Sequence, residues 1–252
     1  MKFDLPSFIA RLFFVPRCLV CNTRLPLSHP DGVLCPICRL RYENEKTVTC
    51  PTCAALLGDC LCLPPGMPQS AAHKMVKLVR YCPGAEDASA QLIFALKHNA
   101  TVDLLNFFAS ELALRLAAVV TDPQSTVITY PPRGRKGLRR DGYDHAALLA
   151  RTLAKRLGAS SCAAFSRHYA GQQKKLSRTA RLAAARSGYS LKKNVLLSGK
   201  HVIVVDDICT TGATLTALAK LARRAGAKSI SFAVIAMTND TYTPATAYHK
   251  KM

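Results

Sequence analysis

Long apolar runs and helix-like repeats of apolar residues alternate along the chain after residue 68. Residues 201–205 and 229–237 are almost continuously apolar, which is typical of strands buried on both faces of a parallel sheet. A shorter apolar run covers residues 126–130. Apolar residues recur at the helical period in four segments, residues 88–97, 102–120, 144–157 and 213–225. Strands that alternate with helices predict an α/β fold, in which helices cover both faces of a parallel sheet.

The first 67 residues follow neither period for long, and a segment rich in proline, residues 63–68, separates them from the rest. We therefore predict two units, residues 1–67 and residues 68–252. Residues 3–15 are apolar and favour a short helix, but they are too short to cross a membrane. They also lack the cleavage pattern of a signal peptide, so we expect a cytoplasmic protein without a membrane span. No internal repeat is evident in the sequence.

Eight of the eleven cysteines lie between residues 18 and 62, in pairs separated by one or two residues. Structural zinc takes four ligands in a tetrahedron, and a two-residue spacer lets a tight turn point two sulfurs at one ion. Zinc is favoured over a disulfide or redox role, which is the alternative, because no secretory signal accompanies these cysteines. Sequential pairing predicts a small double zinc-ribbon domain, and interleaved pairing is the other assignment. With sequential pairing the first ion takes Cys18, Cys21, Cys35 and Cys38, and the second takes Cys50, Cys53, Cys60 and Cys62.

The chain is strongly basic, with a formal net charge of +20 at pH 7. Residues 131–200 hold 17 lysines and arginines against two acids, and the segment 133–140, which we interpret as a glycine-containing loop, is especially dense in arginine. A surface of this kind favours an anionic partner, either a pyrophosphate group or a nucleic acid. Solvated helix faces are the alternative, and the charge alone does not separate the two.

The most informative segment follows the apolar run 201–205. The run ends on two adjacent acids, Asp206 and Asp207, and a loop of small hydroxyl residues around Gly212 then leads into a helix. Ligands of open α/β sheets collect at the carboxyl ends of the strands, and a helix N-terminus favours an anion. Adjacent carboxylates beside a phosphate need partners such as ribose hydroxyls or a magnesium-bound group. The segment therefore predicts a sugar-phosphate site, and the alternative is that the acids cap the helix.

Residues 204–215 resemble the signature of type I phosphoribosyltransferases that binds 5-phosphoribosyl 1-diphosphate (PRPP). Together with the cysteine-rich N-terminus, Leu96-Lys97 and residues 140–145, this signature is similar to the ComF family of competence-associated, GntX-like proteins. The resemblance implies a type I phosphoribosyltransferase-like sheet that binds PRPP with magnesium. In it, the catalytic candidates Asp206 and Asp207 hold the ribose 2- and 3-hydroxyls. The 5-phosphate is held by Thr210, Thr211, Gly212, Ala213 and Thr214.

The same resemblance implies roles for residues away from the signature. Arg133 is expected to contact pyrophosphate, and residues 170–190 are expected to cover the bound diphosphate and exclude water. Lys97 lies where relatives carry a lysine near the sugar-phosphate site, although a solvated lysine at a helix end is as good an explanation. Residues 141–145 depart from the Arg-Gly-Phe-Asn-Gln pattern of relatives, which weakens the transfer of detailed roles. We expect His145, in the first turn of a helix, to be a surface or capping residue and not a catalytic one.

Two functions remain open at this stage. The ComF resemblance implies a part in the uptake or utilisation of single-stranded DNA, with competence-machinery proteins as partners, and PRPP or a related ribose phosphate as ligand. In the first function the chain is a phosphoribosyltransferase, a glycosyltransferase in which a nucleophile attacks C1 of PRPP. In the alternative it is a non-catalytic, zinc-dependent nucleic-acid-binding protein that uses the fold as a scaffold. The candidate DNA contacts are Arg139, Arg140, Lys174 and Lys175.

Overall fold

The computed structural model describes residues 15–26, 28–81, 87–167 and 188–238. Several predictions lie outside these residues: the helix predicted before residue 15, the candidate DNA contacts Lys174 and Lys175, and all but the end of the predicted covering segment 170–190. Within the described residues, no helix is both long and apolar enough to span a membrane.

The described part of the chain contains six α-helices and seven strands. The helices are α1 (Pro36–Asn44), α2 (Ala88–His98), α3 (Val102–Leu116), α4 (Arg135–Asp141), α5 (His145–Leu157) and α6 (Ala213–Arg224). The strands are β1 (Lys74–Arg80), β2 (Thr126–Thr129), β3 (Ser160–Ser161), β4 (Phe165–Arg167), β5 (Tyr189–Leu191), β6 (His201–Cys209) and β7 (Ser229–Met237). A short 3-10 helix, Gln69–Ala71, precedes β1.

Five strands form one parallel sheet in the order β1-β7-β6-β2-β3. Val204 of β6 pairs with Phe232 of β7, and on the other side Ile128 of β2 pairs with Ile203 of β6. The remaining strands, β4 and β5, pair antiparallel with each other. This topology confirms the predicted α/β class, and the parallel arrangement brings the carboxyl ends of β2, β6 and β7 to one edge.

Two hydrophobic cores lie on opposite faces of this sheet. Ile203 and Val205 of β6 belong to one core together with helices α2, α3 and α5, whereas Val202 and Val204 belong to the other core with α6. This alternation follows from the two-residue period of a strand. Cys18, Cys35 and Cys38 belong to the first core, whereas Cys50, Cys60 and Cys62 belong to or pack against the second, so the N-terminal part of the chain contacts both faces of the sheet.

The N-terminal part contains one backbone turn twice. Cys18 N–H donates to the Thr23 carbonyl at 2.8 Å, and Cys50 N–H donates to the Ala55 carbonyl at the same distance. Asn22 and Ala54, which occupy matching positions, both have a positive φ. Residues 16–25 and 48–57 are therefore equivalent turns. No repeat is evident in the sequence because the two segments share only the cysteine pair and a final leucine, and the similarity lies in the backbone hydrogen bonds.

Local structure differs from the sequence prediction in two places. Residues 133–140 were predicted to form a loop, but α4 covers most of them and ends where Gly142 adopts a left-handed conformation. Helix α1 was not predicted. It begins directly after Cys35, the first cysteine of the second pair, and contains Cys38, the second cysteine of that pair. Pro36 at its first position explains this start, since proline fixes a helical φ and lacks the N–H that would be unpaired there.

Candidate functional site

Asp206 and Asp207 lie near the carboxyl end of β6, at the edge where an α/β sheet collects ligands. Asp206 is partly buried, and its Oδ1 accepts a hydrogen bond from the backbone N–H of Asp207 at 2.9 Å. The Asp207 side chain is buried, and its Oδ1 accepts from the backbone N–H of Ile208 at 2.7 Å. Each carboxylate therefore has one oxygen fixed by the backbone.

The second oxygen of Asp207 lies between two basic side chains from different helices. Lys97 Nζ at the end of α2 and His145 Nε2 at the start of α5 each lie 3.0 Å from Asp207 Oδ2. Asp144 precedes this histidine, and its carboxylate caps α5 by accepting from the N–H groups of Ala146 and Ala147. The cap fixes the first turn of α5 and thereby places His145. The Nδ1 atom of His145 is buried and has no hydrogen-bond partner among the described residues.

The two acids differ in protonation because their surroundings differ. Burial, together with the neighbouring charge of Asp207, raises the pKa of Asp206 well above its usual value. Burial acts in the same direction at Asp207, but the contacts with His145 and Lys97 outweigh it and hold the pKa of Asp207 well below its usual range. The surroundings therefore shift Asp206 towards its neutral form and Asp207 towards its carboxylate form.

A loop rich in hydroxyl groups connects β6 to α6. Gly212 has a φ of 67° and is the N-cap of α6, so the unpaired N–H groups of the first helical turn lie beside the loop. Asp206 and residues 208–215 line a small cavity of about 50 Å³. Thr210 and Thr211 are exposed at this end of the sheet. Hydroxyls, a left-handed glycine and a helix N-terminus together form a surface suited to a phosphate group.

The side chain of Met67 covers the glycine of this loop. Met67 is buried in the second core, and a Cβ added to Gly212 would overlap the Met67 methyl group. A side chain from the segment between the two predicted units therefore packs directly on the predicted phosphate loop.

Arg133 makes internal contacts in this structure. Its guanidinium pairs with Asp141 and donates to the carbonyl oxygens of Lys97 at 3.2 Å and Tyr143 at 3.1 Å. Its backbone N–H donates to Asp144 Oδ2 at 2.9 Å. These bonds connect the loop after β2 to the end of α2, next to the ion pair of Asp207. A role in binding pyrophosphate stays a prediction.

Helix α4 carries an exposed basic surface. It buries none of its residues, and its exposed basic side chains are Arg135, Lys136, Arg139 and Arg140. Arg140 pairs with Asp141 at 3.1 Å, and this contact, with His98 and Arg133 nearby, lowers the pKa of Asp141 to about 2. The charge of Arg140 is therefore partly neutralised, whereas Arg139 projects its charge at the surface.

The eight N-terminal cysteines form two clusters in the sequential sets. In each set the four Sγ atoms lie within 4.8 Å of one another, and none of these cysteines forms a disulfide. Neighbouring sulfurs are 3.5 Å apart between Cys21 and Cys35 and between Cys53 and Cys60. Zinc–sulfur bonds of about 2.3 Å in a tetrahedron place the sulfurs about 3.8 Å apart. Both clusters could therefore hold a zinc ion with little rearrangement.

Comparison with known proteins gives concordant results. Residues 138–252 match the family model of the phosphoribosyl transferase domain. The DNA utilization protein YhgH of Salmonella typhimurium is 24% identical over 220 residues, which cover 84% of this chain and 93% of that protein. YhgH of Escherichia coli K12 is 25% identical over 222 residues with the same coverage of both chains. The chain is therefore similar to proteins named DNA utilization protein YhgH over most of its length, and its C-terminal part matches the phosphoribosyl transferase domain.

Several solved structures are similar to this chain over part of its length. A structure described as the allosteric regulatory enzyme of purine biosynthesis has a TM-score of 0.40 and 19% identity, and covers 58% of this chain and 30% of its own. A hypoxanthine-guanine phosphoribosyltransferase of Bacillus anthracis has a TM-score of 0.37 and 20% identity, and covers 54% of this chain and 69% of its own. The chain thus spans less than a third of the first neighbour's length.

Sequence reasoning missed two side chains at this site. His145 was expected at the surface, but it is buried against Asp207. Met67 was treated only as part of a linker, although it packs on Gly212. The capping Asp144 gave the start of α5 correctly, but nothing in the sequence indicates which strand end that helix meets.

Proposed function

We propose that this protein is a member of the ComF family, that it binds PRPP with magnesium at the carboxyl end of β6, and that it acts in the utilisation of single-stranded DNA. One observation carries the proposal: Asp206 and Asp207 lie immediately before a hydroxyl-rich loop and the free N-terminus of α6. In this arrangement the loop, with Thr210, Thr211 and Thr214, holds the 5-phosphate, and the acids accept hydrogen bonds from the ribose hydroxyls. The relatives called DNA utilization protein support the proposed role in the utilisation of DNA.

The cysteine clusters belong to the same proposal. Each binds one zinc ion, and the sulfur separations support this because they are close to those of a tetrahedral site. Residues 1–67 then form the zinc-binding unit and residues 68–252 the phosphoribosyltransferase-like unit. Cysteines without disulfides fit a reducing compartment, and we propose a cytoplasmic location on that ground.

Calorimetric titration of the zinc-loaded protein tests the sugar-phosphate site. We expect saturable binding of PRPP that requires magnesium, weaker binding of ribose 5-phosphate, and still weaker binding of pyrophosphate alone. This order follows because only PRPP offers the 5-phosphate, the ribose hydroxyls and the diphosphate together. Pyrophosphate that binds as tightly as PRPP would contradict a site built around the ribose.

Single-stranded DNA is expected to bind at the exposed surface of α4. Replacing Arg139 and Arg140 by alanine removes two cations and is expected to weaken binding of an oligothymidine. It should also flatten the salt dependence by about 0.7 in log–log slope for each phosphate that these arginines neutralise. Lys155 and Arg156, which are exposed in the last turn of α5, provide a control variant with the same change in charge.

Fluorescence anisotropy at several salt concentrations measures both the affinity for the oligothymidine and its salt dependence. The control variant Lys155→Ala/Arg156→Ala should keep the wild-type slope if α4 is the contact surface. Equal changes in both variants would mean that DNA responds to the net charge of the protein and not to α4.

A further inference from the structure

Lys77 in β1 is a lysine without exposure to solvent. Its relative exposure is 0%, and it is among the largest completely buried side chains in the described residues. Lysine is almost never fully buried unless its charge is paired, because removing an ammonium group from water is costly. No carboxylate among the described residues forms an ion pair with Lys77. The charge therefore needs another explanation.

The surroundings of the ammonium group come from the second cysteine cluster. Lys77 Nζ donates to the carbonyl oxygens of Cys62 at 2.8 Å and Cys60 at 3.0 Å, and it lies 3.2 Å from Cys60 Sγ. The carbonyl of Met75 lies at 3.4 Å. The carbonyls satisfy the hydrogen bonds of the ammonium group, but they carry no net charge.

A metal ion in the cluster would supply the missing counter-charge. Cysteine binds zinc as the thiolate, so four cysteines around one divalent ion carry a net charge of about −2. Without a metal ion to hold the four sulfurs as thiolates, no permanent negative charge among the described residues pairs with the buried ammonium. Contacts of this kind beyond the direct ligands commonly change metal affinity by about 10- to 100-fold.

Lys77 also lies on the strand that borders the N-terminal part of the chain. β1 is an edge strand paired on one side with β7, and on its other side Met75 N–H donates to the Leu61 carbonyl at 3.0 Å. The segment that contains two of the sulfur ligands, Cys60 and Cys62, therefore covers the free edge of the sheet. The ammonium of Lys77 joins this segment to the strand from within the core.

We infer that Lys77 is a positioning residue of the second cysteine cluster, whose ammonium group compensates the charge of the metal–thiolate site and couples metal binding to the attachment of β1. The inference rests on the proposed zinc ions. It assigns to this lysine an effect of opposite sign in the two forms of the protein. With metal bound the ammonium stabilises the fold, and without metal it is an uncompensated buried charge.

The variant Lys77→Met tests this, because methionine keeps most of the length and volume and removes the charge. Lys74→Met is the matched control, since Lys74 lies in the same strand but is exposed. Zinc content is measured per chain, and affinity is measured by competition with a chromophoric chelator. We expect two zinc ions in the wild type and in Lys74→Met, and at least a tenfold loss of affinity at one site in Lys77→Met.

Cysteine alkylation followed by mass spectrometry identifies the weakened site. At a chelator concentration that leaves the wild type protected, Lys77→Met should become alkylated at the cluster from Cys50 to Cys62 and stay protected at the cluster from Cys18 to Cys38. Thermal unfolding gives the sign of the effect on stability. Lys77→Met should lower the midpoint temperature of unfolding of the zinc-loaded protein. In the metal-free protein it should leave this temperature unchanged or raise it.

The outcomes separate this inference from the zinc proposal. A wild type with fewer than two zinc ions would refute the proposal of two zinc sites. A wild type with two zinc ions and a Lys77→Met variant of unchanged affinity would refute the role of Lys77 alone. Equal destabilisation of the loaded and metal-free proteins would show that Lys77 only fills space.

Discussion

Replacing Asp207 by asparagine is expected to destabilise the ligand-free protein by about 3 kcal/mol at pH 7, whereas Asp206→Asn is expected to leave it equally or more stable. Asp207 is the counter-charge of Lys97 and also contacts His145, and removing one partner of a buried ion pair costs about 3–5 kcal/mol. The lower end applies because Lys97 is about 31% exposed. The raised pKa of Asp206 favours its neutral form, and asparagine has a similar shape and no charge.

The two variants should also respond differently to pH. The raised pKa of Asp206 means that the unfolded chain ionises above the ordinary value of 3.8 while the folded chain keeps its proton, so Asp206 costs stability as pH rises. The gain from Asp206→Asn should therefore shrink between pH 7 and pH 4. The pKa of Asp207 is lowered, so its contribution is complete above the ordinary value and is lost only as pH falls below it.

Urea unfolding of both variants at pH 7 and pH 4 measures these differences. Equal loss of stability in the two variants at pH 7 would contradict the assignment of one neutral and one charged acid. PRPP titration adds a second readout, since each variant removes a carboxylate acceptor and should bind about 10- to 100-fold more weakly. Loss of PRPP binding in a fully stable Asp206→Asn protein cannot be ascribed to unfolding.

Gly212→Val is expected to destabilise the protein by about 3 kcal/mol and to abolish PRPP binding. Its φ of 67° costs about 1–2 kcal/mol for a residue with a side chain, and crowding of a packed core adds about 1–3 kcal/mol. The crowding arises because any Cβ at this position meets the Met67 methyl group. Both the backbone cost and the crowding cost are larger for valine than for alanine.

A double-mutant cycle separates the two costs. Met67→Ala combined with Gly212→Ala should be more stable than the sum of the single losses predicts, by about 1 kcal/mol, because the added methyl group occupies the vacated space. Gly199→Ala is the control for the backbone cost alone, since its φ is 71° and no described atom lies within 4 Å of the added Cβ. Additive losses in urea unfolding would show that Met67 does not crowd this position.

The sequence was sufficient to predict three strands of the sheet, β2, β6 and β7, and the four helices α2, α3, α5 and α6. Each prediction there depended on a local period: β7 begins and ends where the apolar run does, and the predicted helix from residue 213 differs from α6 by one residue. The helix α4 was missed because its seven residues are too few to show a period, and glycine and clustered arginines favour a loop. Tertiary contacts, such as that between Arg133 and Asp141, stabilise it instead.

Prediction of the site reached the residues that are adjacent in sequence and stopped there. The acids and the loop after them form one continuous segment, so their proximity follows from the chain itself. The contacts of Lys97, His145 and Met67 join segments far apart in sequence, and no single-sequence pattern records them. Lys77 was overlooked because the strand β1 was not predicted, and because a lysine in a segment with other basic residues is normally expected at the surface.

The covered edge of β1 has a consequence for the order in which the protein is made. Both cysteine clusters are complete once residue 62 has left the ribosome, but β1 pairs with β7, whose partner residues Ser231 to Met237 are synthesised near the end of the chain. Parallel pairing over such a distance is slow to form. During that interval the unpaired strand could associate with other chains. A metal-loaded cluster attached to β1 would then protect the free edge of this strand from other chains until β7 has been synthesised and pairs with it.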